Sequence, residues 1–269
     1  MSTISAISVI LVGFESLHVL EACLASLAAD VPSHHPREIF LVDNASSDGT
    51  ADWVESTYPS VRVLRNGENV GFARACNQAL RLARGRCILF LNPDTRLPKG
   101  ACDALVERLE REPGIGLVGP RLVGGGPPGW GRMPTLSRLL RRRLLDDPGG
   151  EPAEGPVDWL LGACMLGRAE LLRQLGGFDE DYFLYGEDLD LCDRVAAAGF
   201  SVVYYPSVAV PHLGNEVWSE ARLSRVYSAL SMFYRKRRGL AAWLCLRSGL
   251  FAVRAWRRLR SWLLPRQSP

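Results

Sequence analysis

Residues 37–57, REIFLVDNASSDGTADWVEST, decide the fold. A β-branched, apolar run ends at Asp43, a Ser- and Gly-containing turn follows, and an apolar-periodic stretch comes after it. By period this is a strand at 37–43, a turn, and a helix at 47–57, with Ser46 or Ser47 placed to cap the helix. The same rhythm runs outward on both sides. Strands are expected at 6–14, 60–66, 86–92 and 114–119, and helices near 16–29, 72–84 and 98–111. The first strand, AISVILVGF, is apolar almost throughout, as strands covered on both faces are. Strand–helix alternation at this spacing builds a parallel sheet from βαβ units.

A chain of 269 residues with 47% apolar composition can bury one large core and carry an appendage. Seven scattered cysteines with no CxxC pair, most of them in apolar segments, point to reduced core thiols and a cytoplasmic protein. The start, MSTISAISVILVGF, lacks a basic leader, and no uncharged apolar run reaches the about 18 residues that a span needs. The net charge of +3 hides an asymmetry: residues 221–269 hold 12 Lys/Arg and no Asp or Glu, leaving 20 basic and 29 acidic groups before them. That basic tail carries Trp243, Phe251, Trp256 and Trp262 among its arginines. It reads either as a basic helix packed on the domain or as an amphipathic helix lying on an anionic membrane surface.

The rhythm breaks at 124–156, where 14 of 33 positions are Gly or Pro. A segment of this length and composition is expected to be a flexible acceptor-side loop or lid. Regular pattern returns with VDWLLGACMLGR at 157–168, a short helix, the turn GGFDEDYF, a helix at about 187–198, and the strand FSVVYYP.

Three acidic motifs fall where strands end or helices begin. Carboxylates at the carboxyl ends of strands in an open α/β sheet converge on the crevice where such sheets bind nucleotides. Asp43 with Asn44 is ordinary turn chemistry taken alone, yet its carboxylate can also accept the imide N–H of a uracil or thymine ring. Asp94, in LFLNPDT (89–95), either starts a turn after Pro93 or supplies an oxygen to a hard divalent cation. Glu187 and Asp188, in FLYGEDLDLCDR (183–194), either complement a helix dipole or serve as a positioned base. Leu191, Val195 and Ala198 form the apolar stripe of that helix, so its acidic end is expected to face away from the core. Tyr182, Phe183 and Tyr185 offer aromatic walls for a sugar. His212, in VPHLG, would complete a mixed N/O metal site if it lay near Asp94.

The ordered set SVILVGF, LVDNASSDGT, NVGFARACNQAL, LFLNPDT, GPRL, VDWLLGACML, GGFDEDYFLYGEDLDLC and VPHLG resembles the family 2 glycosyltransferases, above all their rhamnosyltransferase-like branch, over residues 5–236. The resemblance implies a GT-A α/β fold that binds nucleoside-diphosphate sugars on a mostly parallel central sheet. The catalytic domain would span 1–220, with a basic helical tail at 221–269. It also implies an inverting transfer and a divalent cation, Mg2+ or Mn2+. By position, Asp43 resembles the base-binding Asp, and Asn77 lies in the nucleotide-contacting segment. Asn92 and Asp94 belong to the donor and metal triplet, which reads Asn-Pro-Asp here rather than Asp-x-Asp. Asp188 resembles the general base with Glu187 as its neighbour, and His212 resembles a His that helps hold metal and diphosphate. Arg237-Arg238 stands where relatives carry a Lys-His pair. The expected partners are a pyrimidine nucleoside-diphosphate sugar, a glycan or lipid-linked acceptor in cell-surface polysaccharide synthesis, and the anionic inner face of the cell membrane, with no nucleic acid. The alternative is a catalytically silent nucleotide-sugar-binding subunit of a glycan assembly complex.

Overall fold

In the computed structural model, the described residues are 7–30, 36–124, 129–134, 150–214 and 220–249. The first strand, β1 (Ile7–Gly13), has every residue buried but Val12, as an all-apolar run requires. It pairs in parallel with β2 (Arg37–Asp43) on one side and β4 (Cys87–Leu91) on the other, and β3 (Val61–Arg65) extends the β2 edge. Beyond β4 lie β9 (Cys164–Arg168), antiparallel to both neighbours, then β5 (Ile115–Val123), β10 (Ser201–Pro211) and the short β7 (Gly155–Pro156). A separate two-stranded ribbon joins β6 (Trp130–Gly131) to β8 (Trp159–Leu160). The expected mixed, mostly parallel α/β sheet is present, with one antiparallel strand at its centre.

Helices cover both faces. Leu20, Leu24 and Leu27 of α1 (Leu17–Ala29), Val54 of α2 (Thr50–Thr57) and Leu105 and Leu109 of α4 (Ala101–Arg111) pack in one core cluster. Cys76 and Leu80 of α3 (Phe72–Leu82), Leu171 and Leu172 of α5 (Ala169–Gln174) and Leu191 and Val195 of α6 (Glu187–Ala197) belong to the other. Six of the seven cysteines are buried free thiols and Cys245 is an exposed one.

Two local expectations are corrected. Helix α2 begins at Thr50, not at 47, and neither Ser46 nor Ser47 caps it. The N-cap is Gly49, at φ 83°, which brings no side chain to the helix end. Asp48 before it accepts the Thr50 N–H through Oδ1 at 3.0 Å, while Ser46 Oγ accepts the amide of Glu15. The acidic end of α6 also does not face away from the core: Glu187, Asp188 and Asp190 are all buried. Asp190 holds Arg194 at 2.7 Å, and that guanidinium also donates to the carbonyls of Leu175 and Gly177, so the charge is satisfied inside.

The chain divides into two compact units, residues 1–133 with 151–218, and 134–150 with 219–269. In the second, α7 (Glu220–Phe233) runs into a π-helical turn, Tyr234–Arg238, and helix continues over 239–249. Most of the expected acceptor-side loop (125–128 and 135–149) and the end of the tail from 250 onward lie outside the described residues. Among the described residues no helix is long and apolar enough to cross a membrane.

Candidate active site

The sheet delivers its acidic residues to one edge because its parallel strands all end there. Gly13 of β1 stands in register with Asp43 of β2, and the Asn44 amide donates to Gly13 O at 2.8 Å. Asp43 is buried. Its Oδ2 accepts the Ser46 N–H at 3.3 Å, and its Oδ1 has no hydrogen-bond partner. The next residue after Gly13, Phe14, leaves its ring 52% exposed. A flat exposed ring beside a carboxylate with a free lone pair suits a planar base. Motif reading missed this residue, and a bulky apolar side chain at a strand's carboxyl end is the signal that could have found it.

Asn44 is only 2% exposed and uses every hydrogen-bonding site of its amide. Its Oδ1 accepts from Asn66 Nδ2 (2.9 Å) and the Val70 amide (3.2 Å), while its Nδ2 donates to Asn69 Oδ1 (3.0 Å) and Gly71 O (3.3 Å). The loop 66–71 is thereby tied to the strand end that carries Asp43.

At the end of β4, Asn92 O accepts the Thr95 N–H (3.2 Å) and Thr95 Oγ1 (2.6 Å), which turns the chain so that Asp94 stands at the tip. His212 reaches it from β10. That strand carries a bulge between Tyr205 and Ala209, after which Arg96 N–H donates to Pro211 O and Thr95 bridges to His212. Asp94 Oδ1 and His212 Nε2 lie 3.3 Å apart, and Asp94 Oδ2 accepts the Gly214 N–H at 3.2 Å. Burial works against ionisation of Asp94, but His212 and the Gly214 amide outweigh it and hold the carboxyl below its ordinary range. His212 Nδ1 is buried without a partner.

Asp188 joins the same edge through three residues of backbone. Its Oδ2 accepts the Gly162 N–H at 3.2 Å, and the neighbouring Ala163 carbonyl accepts the Asn92 N–H at 2.8 Å, so the base candidate and the Asn92–Asp94 turn hang on one short segment. Burial, and after it the charge of Asp188, push the Glu187 carboxyl up to about 8. Burial raises Asp188 as well, against the opposing amides of Gly162 and Leu189. Those two amide donors favour the carboxylate form of Asp188, whereas burial and the neighbouring charge favour the protonated form of Glu187. Glu187 Oε2 has no partner.

Asp43 Oδ1, Glu187 Oε2, His212 Nδ1 and Ser16 Oγ, just past β1, are buried polar atoms without a hydrogen bond. Buried polar groups are nearly always paired, so orphans collected at one sheet edge mark a place built for a ligand. The donor set fits a divalent cation held in part by its ligand. One carboxylate oxygen and one imidazole nitrogen supply two donors, one hard and one borderline, and phosphate oxygens and water can fill the rest. Among the described residues no group of three or more His, Cys, Asp or Glu could hold an ion alone.

Two expected residues are placed differently. The Asn77 amide donates to Phe178 O (2.8 Å) and Glu180 Oε1 (3.0 Å), and its Oδ1 accepts the Phe178 N–H (2.9 Å). Asn77 thus clamps the GGFDE turn, with no hydrogen-bonding group turned to a ligand. Tyr182 is buried, so of the aromatic run it is Phe183 that stands open.

An open α/β sheet whose strand ends gather acidic residues has the architecture at which nucleotides bind. The family model for glycosyl transferase family 2 matches residues 8–176. The N-acetylglucosaminyl-diphospho-decaprenol L-rhamnosyltransferase of Mycobacterium tuberculosis is 35% identical over 226 residues, 72% of this chain and 71% of its own. The chain belongs to glycosyltransferase family 2, and within it is rhamnosyltransferase-like. Two solved structures share the fold. One is the mannosyltransferase PcManGT from Pyrobaculum calidifontis in complex with GDP-Man and Mn2+ (TM-score 0.64, 20% identity, covering 92% of this chain and 69% of that one). The other is GalNAc-T7 with UDP, GalNAc and Mn2+ (TM-score 0.64, 17% identity, 88% and 51%). The fold is of the GT-A type, and the protein is a glycosyltransferase.

Proposed function

We propose that this enzyme moves a sugar, rhamnose being the first candidate, from a pyrimidine nucleoside diphosphate to a hydroxyl of a lipid-linked glycan, inverting the anomeric centre, in the synthesis of a cell-surface polysaccharide. The observation that carries the reading is Asp188, a buried carboxyl fixed by the Gly162 amide, with the buried Glu187 beside it and the Asp94–His212 pair one backbone segment away. The M. tuberculosis relative, named for an N-acetylglucosaminyl-diphospho-decaprenol acceptor, supports the lipid-linked acceptor. The solved neighbours carry GDP in one case and UDP in the other, so the choice of base rests on Asp43. Its unpartnered Oδ1 can accept the imide N–H that uracil and thymine share.

A sugar hydroxyl is a weak nucleophile at neutral pH, and a positioned base that takes its proton contributes about 10²–10⁴ in rate. The acceptor oxygen forms its bond to the anomeric carbon as the bond to the diphosphate breaks, and the hydroxyl proton passes to Asp188. Glu187, holding its own proton, adds no second negative charge beside the base. Asp94 and His212 would hold a divalent cation, Mg2+ or Mn2+, whose charge would offset that developing on the departing diphosphate. In this reading residues 1–220 carry catalysis, with 124–156 as the acceptor-side loop. The basic region 221–269 rests on the anionic inner face of the cell membrane, where the acceptor lies.

The test is Asp188→Asn, which keeps the shape and removes the base. Turnover should fall at least about 100-fold while nucleotide binding, measured by calorimetry, is retained. Retention of more than about a tenth of the turnover would overturn the assignment. Excess chelator should abolish wild-type transfer, and full activity under chelation would remove the cation from the scheme.

A further inference from the structure

Phe183 is 57% exposed, yet the residues around it are fixed with unusual closeness. The Phe72 amide donates to Phe183 O at 2.8 Å. Gly71, at φ +84, has no room for a side chain: a Cβ there would lie 2.6 Å from Phe183 O, 2.9 Å from Phe183 Cδ2 and 3.0 Å from its Cα. Gly71 is itself held by Asn44 and Asn69. The ring of Phe72 packs edge-on against Phe178, which packs on Phe90 of the sheet. That same Phe72 ring borders Gly162, where a Cβ would stand 3.6 Å from Asp188 Cβ and 3.7 Å from Phe72 Cε1. Asp188, Gly162, Phe72 and Phe183 thus form one continuous wall, and the sheet core anchors it. A loose loop would explain an exposed phenyl ring, but this ring is pinned at its backbone and left open at its side chain.

A fixed, open ring on the same wall as a carboxylate suits a ligand with an apolar face and a polar rim. The C–H face of a pyranose, with hydroxyls around its edge, has that character. The donor nucleotide is claimed by Asp43 and the diphosphate by Asp94 and His212, whereas the group that must approach Asp188 is the acceptor. We propose that Phe183 is the acceptor platform: the acceptor's sugar ring stacks on it and so presents its hydroxyl to Asp188. This assignment rests on the reading of Asp188 as the base.

The experiment compares the full-length wild type with Phe183→Ala, Phe183→Tyr and Asp188→Asn. The donor is thymidine diphosphate-rhamnose, and the acceptor is N-acetylglucosaminyl diphosphate on a short prenyl chain. Phe183→Ala should raise the acceptor KM about tenfold, equivalent to about 1.4 kcal/mol of lost contact, and leave donor KM and donor hydrolysis within about twofold of wild type. Phe183→Tyr, which keeps the flat face, should restore the acceptor KM, which a loss of folding in the Ala variant would not allow the Tyr variant to mask. An unchanged acceptor KM in Phe183→Ala, or a raised donor KM in its place, overturns the platform. If Asp188→Asn is inactive in the same assay, the base reading stands when the platform falls. If Asp188→Asn stays active, it is the base reading that has failed.

Discussion

Glu187 shows at the residue scale how burial changes what a side chain is for. Burial, joined by the charge of Asp188, raises its carboxyl well above the ordinary range, to about 8. The folded state therefore binds a proton that the unfolded chain has released. With more protons on the native side, stability must fall as pH rises from the ordinary Glu range through about 8, and be greatest below it. Glu187→Gln mimics the protonated form. Its melting temperature should match or exceed that of the wild type above pH 7 and lose much of the downward slope between pH 5 and 8, followed by calorimetry across about that range. A slope identical to wild type would mean that Glu187 does not hold the proton. At this scale the positions of Asp43, Asp94 and Asp188 were legible in the sequence, since each stands where an apolar strand or a glycine hands over to a turn or helix. The structure places them at the end of β2, after β4 and in the first turn of α6. The sequence did not show that Asn77 is bonded to Phe178 and Glu180, because a buried amide and a ligand-facing amide look alike until their partners are seen.

At the scale of elements, the loop 66–71 has no regular structure of its own and borrows order from β2 through Asn44. Replacing Asn44 with Asp keeps the volume but turns two donors into acceptors facing Asn69 Oδ1 and Gly71 O. Leaving such buried acceptors unpaired costs about 1–3 kcal/mol, and denaturant titration of Asn44→Asp should show a loss of that order. Because this loop also seats Phe72 against Phe183, the acceptor KM should rise as well. A variant as stable as wild type would mean the loop orders itself without Asn44. The strands and helices that frame this loop were legible from period alone, to within a few residues at their ends. The bulge in β10 has one local mark, Pro206, which has no N–H for the ladder and lies between Tyr205 and Ala209, but nothing in YYPSVAV says that the strand resumes beyond it toward Asp94. Pairing with β5 and the contact at Thr95 decide that.

At the scale of the whole molecule, positive charge is concentrated in residues 221–269, which hold 12 Lys/Arg and no Asp or Glu. In the second unit Trp243 is tied by its Nε1 to Ser231 Oγ at 2.9 Å and stacked near Arg235 and Arg247, so it is not free to enter a bilayer. Leu240 and Leu244, 64% and 50% exposed, stand one turn apart beside the basic turn Tyr234–Arg238. Attraction of that turn to anionic lipid is screened by salt, whereas burial of leucine is not. The full chain should therefore sediment with phosphatidylserine-containing vesicles at low salt and retain part of that binding at high salt. Leu240→Ser with Leu244→Ser should bind at low salt and lose the salt-resistant part. Equal high-salt binding by the two proteins would move the anchor elsewhere in the tail.

The sequence by itself determined the alternation of strand and helix, the basic tail, the three acidic motifs and the family, because period, charge and ordered motifs are all properties of neighbours along the chain. Only the tertiary structure decided that His212 meets Asp94, that Gly162 holds Asp188, that Asn44 ties down the loop before Phe72, and that Phe183 rather than Tyr182 stands open. Each of those is a contact between segments 25 to more than 100 residues apart, as for Asn44 with Asn69 and Gly214 with Asp94. Such contacts are fixed by packing and by the need to pair buried polar groups, and neither leaves a local mark in the chain.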